Sequence, residues 1–367
     1  MPRPPTGSLA GSAWTGDLPP EEHALRVREL IVEMCGSAEG GHLGGSMSLV
    51  EILVTLYRSV LRVEPAAPDD PERDVLLSKG HGAIGLYAVL AERGFFPAED
   101  LATYGRPESL FSAHPNPAVP GVEMPTGSLG HGLPLGVGFA LAARLDASPR
   151  RTFVVLGDGK LQEGSNWEAA MAAGSLGLGR LVAVVDRNSL QITGPTENAV
   201  ALEPPADRWR GFGWHAHEVD GHEIALLRAT FDGIPADTDR PAVLIARTVK
   251  GRSLPYIEGQ TRSHYARLGE RPKKRALAIL RARSRKAAQA WPPWHPTPRA
   301  PRAPRSGPLP RRPRSRPAVR SNATCWRSSS PRTSGWCAWT ATPACSTAWT
   351  SAPPPSATST SASPSRT

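Results

Sequence analysis

From residue 152 onward, short and continuous apolar runs alternate with amphipathic stretches, and few architectures accept that pattern. Strands are expected at 152–156, 181–186, 214–219 and 242–248, with helices at 165–177, 204–212 and 222–232 between them. Unbroken apolar strands separated by helices imply βαβ units, and so an α/β fold in which a parallel sheet is covered by helices on both faces. Upstream, Leu25, Val27, Leu30, Ile31 and Met34 have helical spacing over 21–36, and a second helix is expected over 47–61. Val75, Leu76 and Leu77 form a further short strand, and 83–93 and 132–145 read as buried helices rich in Gly and Ala. Ligands of such sheets lie beyond the carboxyl ends of the strands. The loops after Leu77, Leu156, Val185 and Thr248 are therefore where chemistry is expected.

Those loops carry the informative residues. Gly157-Asp158-Gly159 follows one strand and Asn188 follows the next. Adjacent parallel strands would bring the Asp158 carboxylate and the Asn188 amide oxygen to one sheet edge. That pair of oxygens suits a hard divalent cation, which keeps further positions for phosphate oxygens. The glycines permit close backbone approach, and a helix starting near Ser165 offers N–H groups to an anion. Three histidines sit among glycines or in a loop: His42 in GGHLGG, His81 in KGHGA and His114 in AHPNP. Glycine gives access rather than packing contacts, so these read as functional rather than core side chains. His264, in TRSHYARLG, is a fourth candidate; Cys35, Trp167, Trp209 and Trp214 read as core.

Charge divides the chain. The net charge is +10 over 367 residues. Residues 281–367 contribute 15 Lys and Arg with no acid, whereas residues 1–280 hold 28 Lys and Arg against 33 acids. A basic average thus hides a mildly acidic body. Specific nucleic-acid binding is not expected, and polycation binding by the tail would be incidental. The sequence has no apolar run of transmembrane length, so no membrane partner is expected, and the single body cysteine suits a reducing, cytoplasmic setting.

The string GDGKLQEGSNWEA…VVDRNSLQITGPTE resembles the transketolase family, in its thiamine diphosphate, diphosphate-binding half. The blocks GGHLGGSMSLVEIL, LSKGHGAIGLYAVL, FSAHPNPAVPGVEMPTGSLGHGLPLGVGFALAARL and TVKGRSLPYIEGQTRSH extend the resemblance over roughly residues 20–280. It implies thiamine diphosphate and Mg²⁺ (or Ca²⁺) as cofactors. Asp158, Asn188 and the Leu190 carbonyl would hold the metal; His81, Gly157 and Gly159 would meet the diphosphate. Gly127, Ser128 and Leu129 would reach the thiazolium and pyrimidine, and Glu163 would join a carboxylate network between subunits. His42, His114 and His264 would act on substrate hydroxyls near the reactive carbon. Lys160 departs from the family pattern, which favours a small or acidic residue there, and would compete mildly with the cation. His131 stands where single-chain transketolases often carry Gln and would lie near the cofactor.

The implied reaction is transfer of a two-carbon ketol unit from a ketose phosphate to an aldose. The alternatives are another thiamine diphosphate enzyme, either a deoxyxylulose-phosphate synthase or one subunit of a 2-oxo acid dehydrogenase, and an inactive cofactor-binding half. In the family a second, pyrimidine-binding domain completes the site, so the expected partners are sugar phosphates and either a homodimer mate or a separate pyrimidine-domain subunit. Residues 1–20 read as a flexible arm and 21–280 as the cofactor domain. Residues 281–367, with 16 Pro, 15 Ser, six Trp and one Leu, read as a disordered tail. A frameshift near 281–300 would account for it: codons permitted for residues 358–367, read one base earlier, encode Tyr-Leu-Asn-Leu-Gly-Ile-Ala-Glu-Pro-Asn. That string is similar to the pyrimidine-domain segment bearing the activating glutamate.

Overall fold

A computed structural model describes residues 18–235 and 238–290, with side chains as far as 285. The expected frameshift product and most of the arm and tail lie outside these residues. Helices α1 (Pro20–Cys35) and α2 (Leu43–Thr55) open the fold, and α2 runs on into one π-helical turn, Leu56–Val60. Strand β1 (Val75–Leu77) and helices α3 (Ala83–Arg93) and α4 (Gly132–Leu145) follow. Then come β2 (Thr152–Gly157), α5 (Gly164–Ser175), β3 (Leu181–Arg187) and a small ribbon of β4 (Leu190–Gln191) and β5 (Gly194–Pro195). The chain continues through α6 (Thr196–Ala199), α7 (Pro205–Gly211), β6 (His215–Asp220), α8 (Ile224–Asp232), β7 (Ala242–Arg247) and α9 (Glu270–Ala290).

Five strands form one parallel sheet in the order β1-β2-β3-β7-β6. Successive side chains on a strand point to opposite faces, and the core follows that period. Phe153 and Val155 of β2, Val182 and Val184 of β3, and Leu244 and Ala246 of β7 pack with α1, α2, α3, α8 and α9. Val154, Leu156, Ala183, Val185, Val243 and Ile245 pack on the other face, under α4, α5 and α7. Each fully buried aliphatic side chain of this kind stabilises by about 1.5–3 kcal/mol. Trp209 and Trp214 are buried there with ring centroids 4.7 Å apart, while Trp167 is half-buried beside them. Cys35 is buried, and burial pushes its thiol pKa up.

Two expectations need correction, and one expected boundary falls within a helix. Helix α4 is buried only along Leu133, Gly136, Ala140 and Ala143, and Leu145 is 78% exposed. Together with Met171 of α5 and Leu176 just after it, it leaves exposed apolar side chains on the sheet's second face. Helix α2 begins at Leu43, taking in Gly44 and Gly45, because every residue of the helix is buried and packing outweighs the helix-weakening effect of glycine. The boundary drawn at 280 falls inside α9, which continues to Ala290. Leu277 and Leu280 bury one stripe of that helix in the core, and Lys273 pairs with Glu33 at 2.6 Å. No helix among the described residues is long and apolar enough to cross a membrane.

Candidate functional site

The carboxyl ends of β1, β2, β3 and β7 open into one cleft of about 330 Å³. Lys79 and His81 follow β1, and Gly157 ends β2. Asp158, Gly159, Lys160 and Glu163 come after β2, Asn188 and Leu190 after β3, and Lys250 and His264 after β7. A larger cavity of about 530 Å³, bordered by Phe96, Asp100, Arg106 and Phe111, contains none of the residues that the sequence picked out.

Asp186 anchors the floor. It is fully buried one residue before the end of β3 and receives Lys79 Nζ at 2.6 Å, Ser48 Oγ at 2.8 Å, Asn188 Nδ2 at 3.0 Å and the Thr248 hydroxyl. Burial alone would raise its pKa, but the Lys79 ammonium and these hydrogen bonds hold the carboxyl below the usual range. Asp158 is in the opposite state. Its Oδ1 accepts from Gly159 N at 2.8 Å, and its Oδ2 from Arg187 Nη1 at 3.0 Å and Ser189 N at 2.5 Å. Burial and the neighbouring Asp186 charge nevertheless push the Asp158 carboxyl up. A carboxylate left short of positive charge at a sheet edge is a donor suited to a cation.

The other two oxygens implied for a metal lie beside it. Asn188 Oδ1 accepts from Leu190 N at 3.1 Å, and the Leu190 carbonyl accepts from Lys250 Nζ at 3.0 Å. Ser189 between them has φ 64°, a left-handed conformation that costs a non-glycine residue of order 1 kcal/mol and is retained where surroundings impose it. Here the imposing contact is its N–H on Asp158. The donor set is carboxylate, amide oxygen and carbonyl, which fits a hard cation such as Mg²⁺ or Ca²⁺. Lys250 Nζ already places positive charge on that carbonyl oxygen.

Four histidines converge on the cleft. The His42 ring centroid is 4.6 Å from that of His81, 5.5 Å from His114 and 5.6 Å from His264; His81 and His114 are 5.2 Å apart. Burial, with the neighbouring histidines and Lys79, pushes the His42 pKa down to about 4. Burial and then Lys160 bring His81 to about 3, and burial and then Lys250 bring His264 to about 4. His114 is lowered for the same reason as His81. All four are neutral at pH 7, each with one donor and one acceptor nitrogen. Lys250 Nζ lies 3.0 Å from His264 Nδ1, and an ammonium can only donate, so the His264 proton is on Nε2. His42 Nδ1 and His81 Nδ1 are buried with no hydrogen-bond partner among the described residues, which leaves them for a ligand. Ring nitrogens of His42, His81 and His114 lie within 4.8 Å of one another.

Glycine brings the loops that close. A Cβ on Gly80 would lie 2.5 Å from Gly127 Cα, and one on Gly127 (φ 150°) would lie 2.6 Å from His114 Cδ2. The chain after β1 therefore lies directly against the Gly127-Ser128-Leu129 loop, with His114 behind it. Ser128 and Leu129 are exposed beside the cleft, and Leu129 lines it. Glu163 is exposed at its mouth, at the start of α5. His131 is exposed at the start of α4 and does not border the cleft.

The structure thus gathers the four histidines and the three oxygen donors at one place. Sequence reasoning missed Lys79, Asp186, Arg187, Thr248 and Lys250. Each stands at the carboxyl end of a sheet strand or within a few residues of it, so the rule that located Asp158 and Asn188 would have found them.

Comparison with known proteins agrees with this geometry. The family described as "Transketolase, thiamine diphosphate binding domain" matches residues 21–282. Among curated relatives, a subunit of the apulose-4-phosphate transketolase of Phocaeicola vulgatus is 43% identical over 246 residues, covering 67% of this chain and 88% of the relative. The SqwG subunit of the 6-deoxy-6-sulfo-D-fructose transketolase of a Clostridium species is 40% identical over 262 residues, covering 71% and 95%. Among solved structures, transketolase from Leishmania mexicana superposes with a TM-score of 0.65 at 27% identity, over 74% of this chain and 45% of that one. Transketolase from Campylobacter jejuni gives 0.64 at 27%, over 74% and 48%. The chain thus spans less than half the length of these solved transketolases.

Proposed function

Because the chain belongs to the transketolase family and carries its thiamine diphosphate binding domain, we propose that it supplies the diphosphate and metal half of a ketol transferase. The observation that carries this reading is the meeting of three oxygen donors, Asp158, Asn188 and Leu190, with four neutral histidines in one cleft. Asp158, Asn188 and the Leu190 carbonyl would hold Mg²⁺ or Ca²⁺. His81, Gly157 and Gly159 would lie along the diphosphate, and Gly127, Ser128 and Leu129 along the ring system. Thiamine diphosphate supplies a nucleophilic carbon that can take up and pass on a two-carbon ketol unit.

The remaining work falls to this chain's own side chains. His42, His114 and His264 are neutral and can accept a proton from a sugar hydroxyl and return it. Their low pKa values make them weak bases, which suits brief proton holding rather than standing imidazolium charge. Lys250 fixes His264 with Nε2–H turned away from the lysine, so that this histidine is a donor on its free side. The hydrogen-bonded floor formed by Asp186, Lys79, Ser48 and Thr248 ties the loops after β1 and β7 to α2 and β3.

The two relatives above are named as subunits, and the exposed apolar side chains of Leu145, Met171 and Leu176 give a partner something to cover. We read that partner as a pyrimidine-domain subunit or a second copy of this chain, the substrates as sugar phosphates and the setting as the cytoplasm. The test is ketol transfer from a ketose phosphate to an aldose by the full chain combined with a pyrimidine-domain subunit, with thiamine diphosphate and Mg²⁺. Transfer is expected. Acceptance of a 2-oxo acid in place of any ketose would overturn the assignment in favour of another thiamine diphosphate enzyme.

A further inference from the structure

We propose that Arg187 is a positioning residue for the cation: it clasps the Asp158 carboxylate to the segment after β5 and so fixes the oxygens that would hold Mg²⁺ or Ca²⁺. The inference rests on the cofactor reading above and concerns how this chain shapes that donor set.

Arg187 ends β3, and its side chain is 2% exposed. Nη1 donates to Asp158 Oδ2 at 3.0 Å and to Thr196 Oγ1 at 2.7 Å. Nη2 donates to Glu197 Oε1 at 2.7 Å and to Glu203 Oε1 at 3.0 Å, and Nε donates to Glu203 Oε1 at 3.2 Å. These five hydrogen bonds match the five N–H donors of a guanidinium, so its rigid fork is fully used.

One end of the clasp is Asp158, after β2, and the other is the segment 196–203, after the β4–β5 ribbon. The loop bearing Asn188 and Leu190 runs between those ends. Ser189 N donates to the same Asp158 Oδ2 at 2.5 Å, and Ser189 O accepts from Thr196 N at 3.0 Å. Arg187 therefore closes a ring of contacts around the loop that carries the other two oxygens.

A carboxylate offers about four acceptor positions, shared equally by its oxygens. On Asp158, Arg187 and Ser189 take those of Oδ2, and Gly159 N takes one on Oδ1. The position left on Oδ1 is the one a cation would use. Without Arg187 the carboxylate is free to turn, and that position is no longer fixed relative to Asn188 and Leu190.

Charge alone predicts the opposite. Removing a guanidinium beside Asp158 leaves the site more negative and more attractive to a cation. The Arg187 charge is already shared with Glu197 and Glu203, however, which weakens its field at Asp158. Groups that hydrogen-bond and orient metal ligands are typically worth about 10–100-fold in metal affinity, so orientation is expected to outweigh charge.

The experiment is calorimetric titration of the full chain with thiamine diphosphate over a series of free Mg²⁺ concentrations. It gives the half-saturating Mg²⁺ for wild type, Arg187→Met and Arg187→Lys. Thermal unfolding of each ligand-free chain is measured alongside, and the titrations stay well below every midpoint. Arg187→Met should raise the half-saturating Mg²⁺ about 10–100-fold. Arg187→Lys keeps the charge but not the fork and should raise it about tenfold; it carries the test if Arg187→Met does not fold. An unchanged Mg²⁺ requirement in folded variants, with only a lower unfolding temperature, would reduce Arg187 to support of the fold. A lower requirement in Arg187→Met with none in Arg187→Lys would make the effect one of charge. Either result overturns the inference and leaves the cofactor reading standing. Absence of thiamine diphosphate binding to wild type even in excess Mg²⁺ would overturn both.

Discussion

Glu51→Ala should cost far more than an ordinary side-chain truncation, because Glu51 is the middle link of a buried hydrogen-bonded chain that runs from Arg28 to the loop bordering the site. Arg28 Nη2 lies 2.7 Å from both Glu51 oxygens, and Arg28 is 2% exposed. Glu51 Oε2 is 3.1 Å from His222 Nδ1, and His222 Nε2 accepts from Val249 N at 2.8 Å. Since Nε2 accepts, the His222 proton is on Nδ1 and is donated to Glu51. The chain of contacts thus ties α1 and α2 to the loop that carries Lys250. Removing the carboxylate strands a buried guanidinium, which costs about 3–5 kcal/mol. For a domain of this size each kcal/mol moves the unfolding temperature roughly 2–4 °C, so a fall of about 6–20 °C is expected. Thermal unfolding followed by tryptophan fluorescence measures it, with Trp209 and Trp214 as buried reporters. The double variant Arg28→Met with Glu51→Leu removes both charges and should recover most of the loss, short of about 1–3 kcal/mol for the His222 donor left unpaired. A loss below about 1 kcal/mol in Glu51→Ala, or a double variant no better than the single one, would refute the reasoning.

Two further outcomes follow from the geometry. Gly80→Ala should force the loop after β1 away from Gly127, since backbone cannot yield as a flexible side chain does. A stability loss of about 1–3 kcal/mol and a weakened affinity for thiamine diphosphate, read in the same titrations, are expected; unchanged affinity would show that the contact does not shape the cleft. The stability of the ligand-free chain should fall as pH drops from about 6.5 toward 4. In that window the unfolded chain binds protons that folded His42, His81 and His264 refuse, their folded pKa values being about 4, 3 and 4. Above the window the contribution is flat. Carboxyls held low in the fold, such as Asp186, Glu51 and Asp74, add their own loss only below about pH 4.5. Replacing the three histidines by Asn should flatten the unfolding temperature between pH 6.5 and 4; an unchanged slope would place its origin elsewhere.

Much of this was legible because the same physics governs the sequence pattern and the fold. Apolar strands buried on both faces have few alternatives, and the ends of β1, β2, β3 and β7 fall within two residues of expectation. The motif loops were legible for a second reason: glycine beside histidine or aspartate is poorly explained by packing. What escaped depended on partners distant in sequence. Lys79 and Asp186 are 107 residues apart and Glu51 and His222 are 171 apart, so neither pair has a local pattern. Helix α4 read as buried because its composition is apolar all round, whereas only one stripe faces the sheet. Helix α9, which the sequence reading did not expect, crosses the boundary drawn at 280 because the change in composition at 281 does not interrupt helical propensity: Ala, Arg, Lys and Gln are good helix formers.

The central claim is that the cleft at the strand ends is a diphosphate site built around Asp158. Its most direct test is titration of the full chain with thiamine diphosphate and with thiamine, both in Mg²⁺, for wild type and Asp158→Ala. One saturable site for thiamine diphosphate, no comparable binding of thiamine, and loss of the site in Asp158→Ala are predicted. Equal binding of thiamine and its diphosphate, or an Asp158→Ala variant that folds and binds as wild type does, would contradict the account.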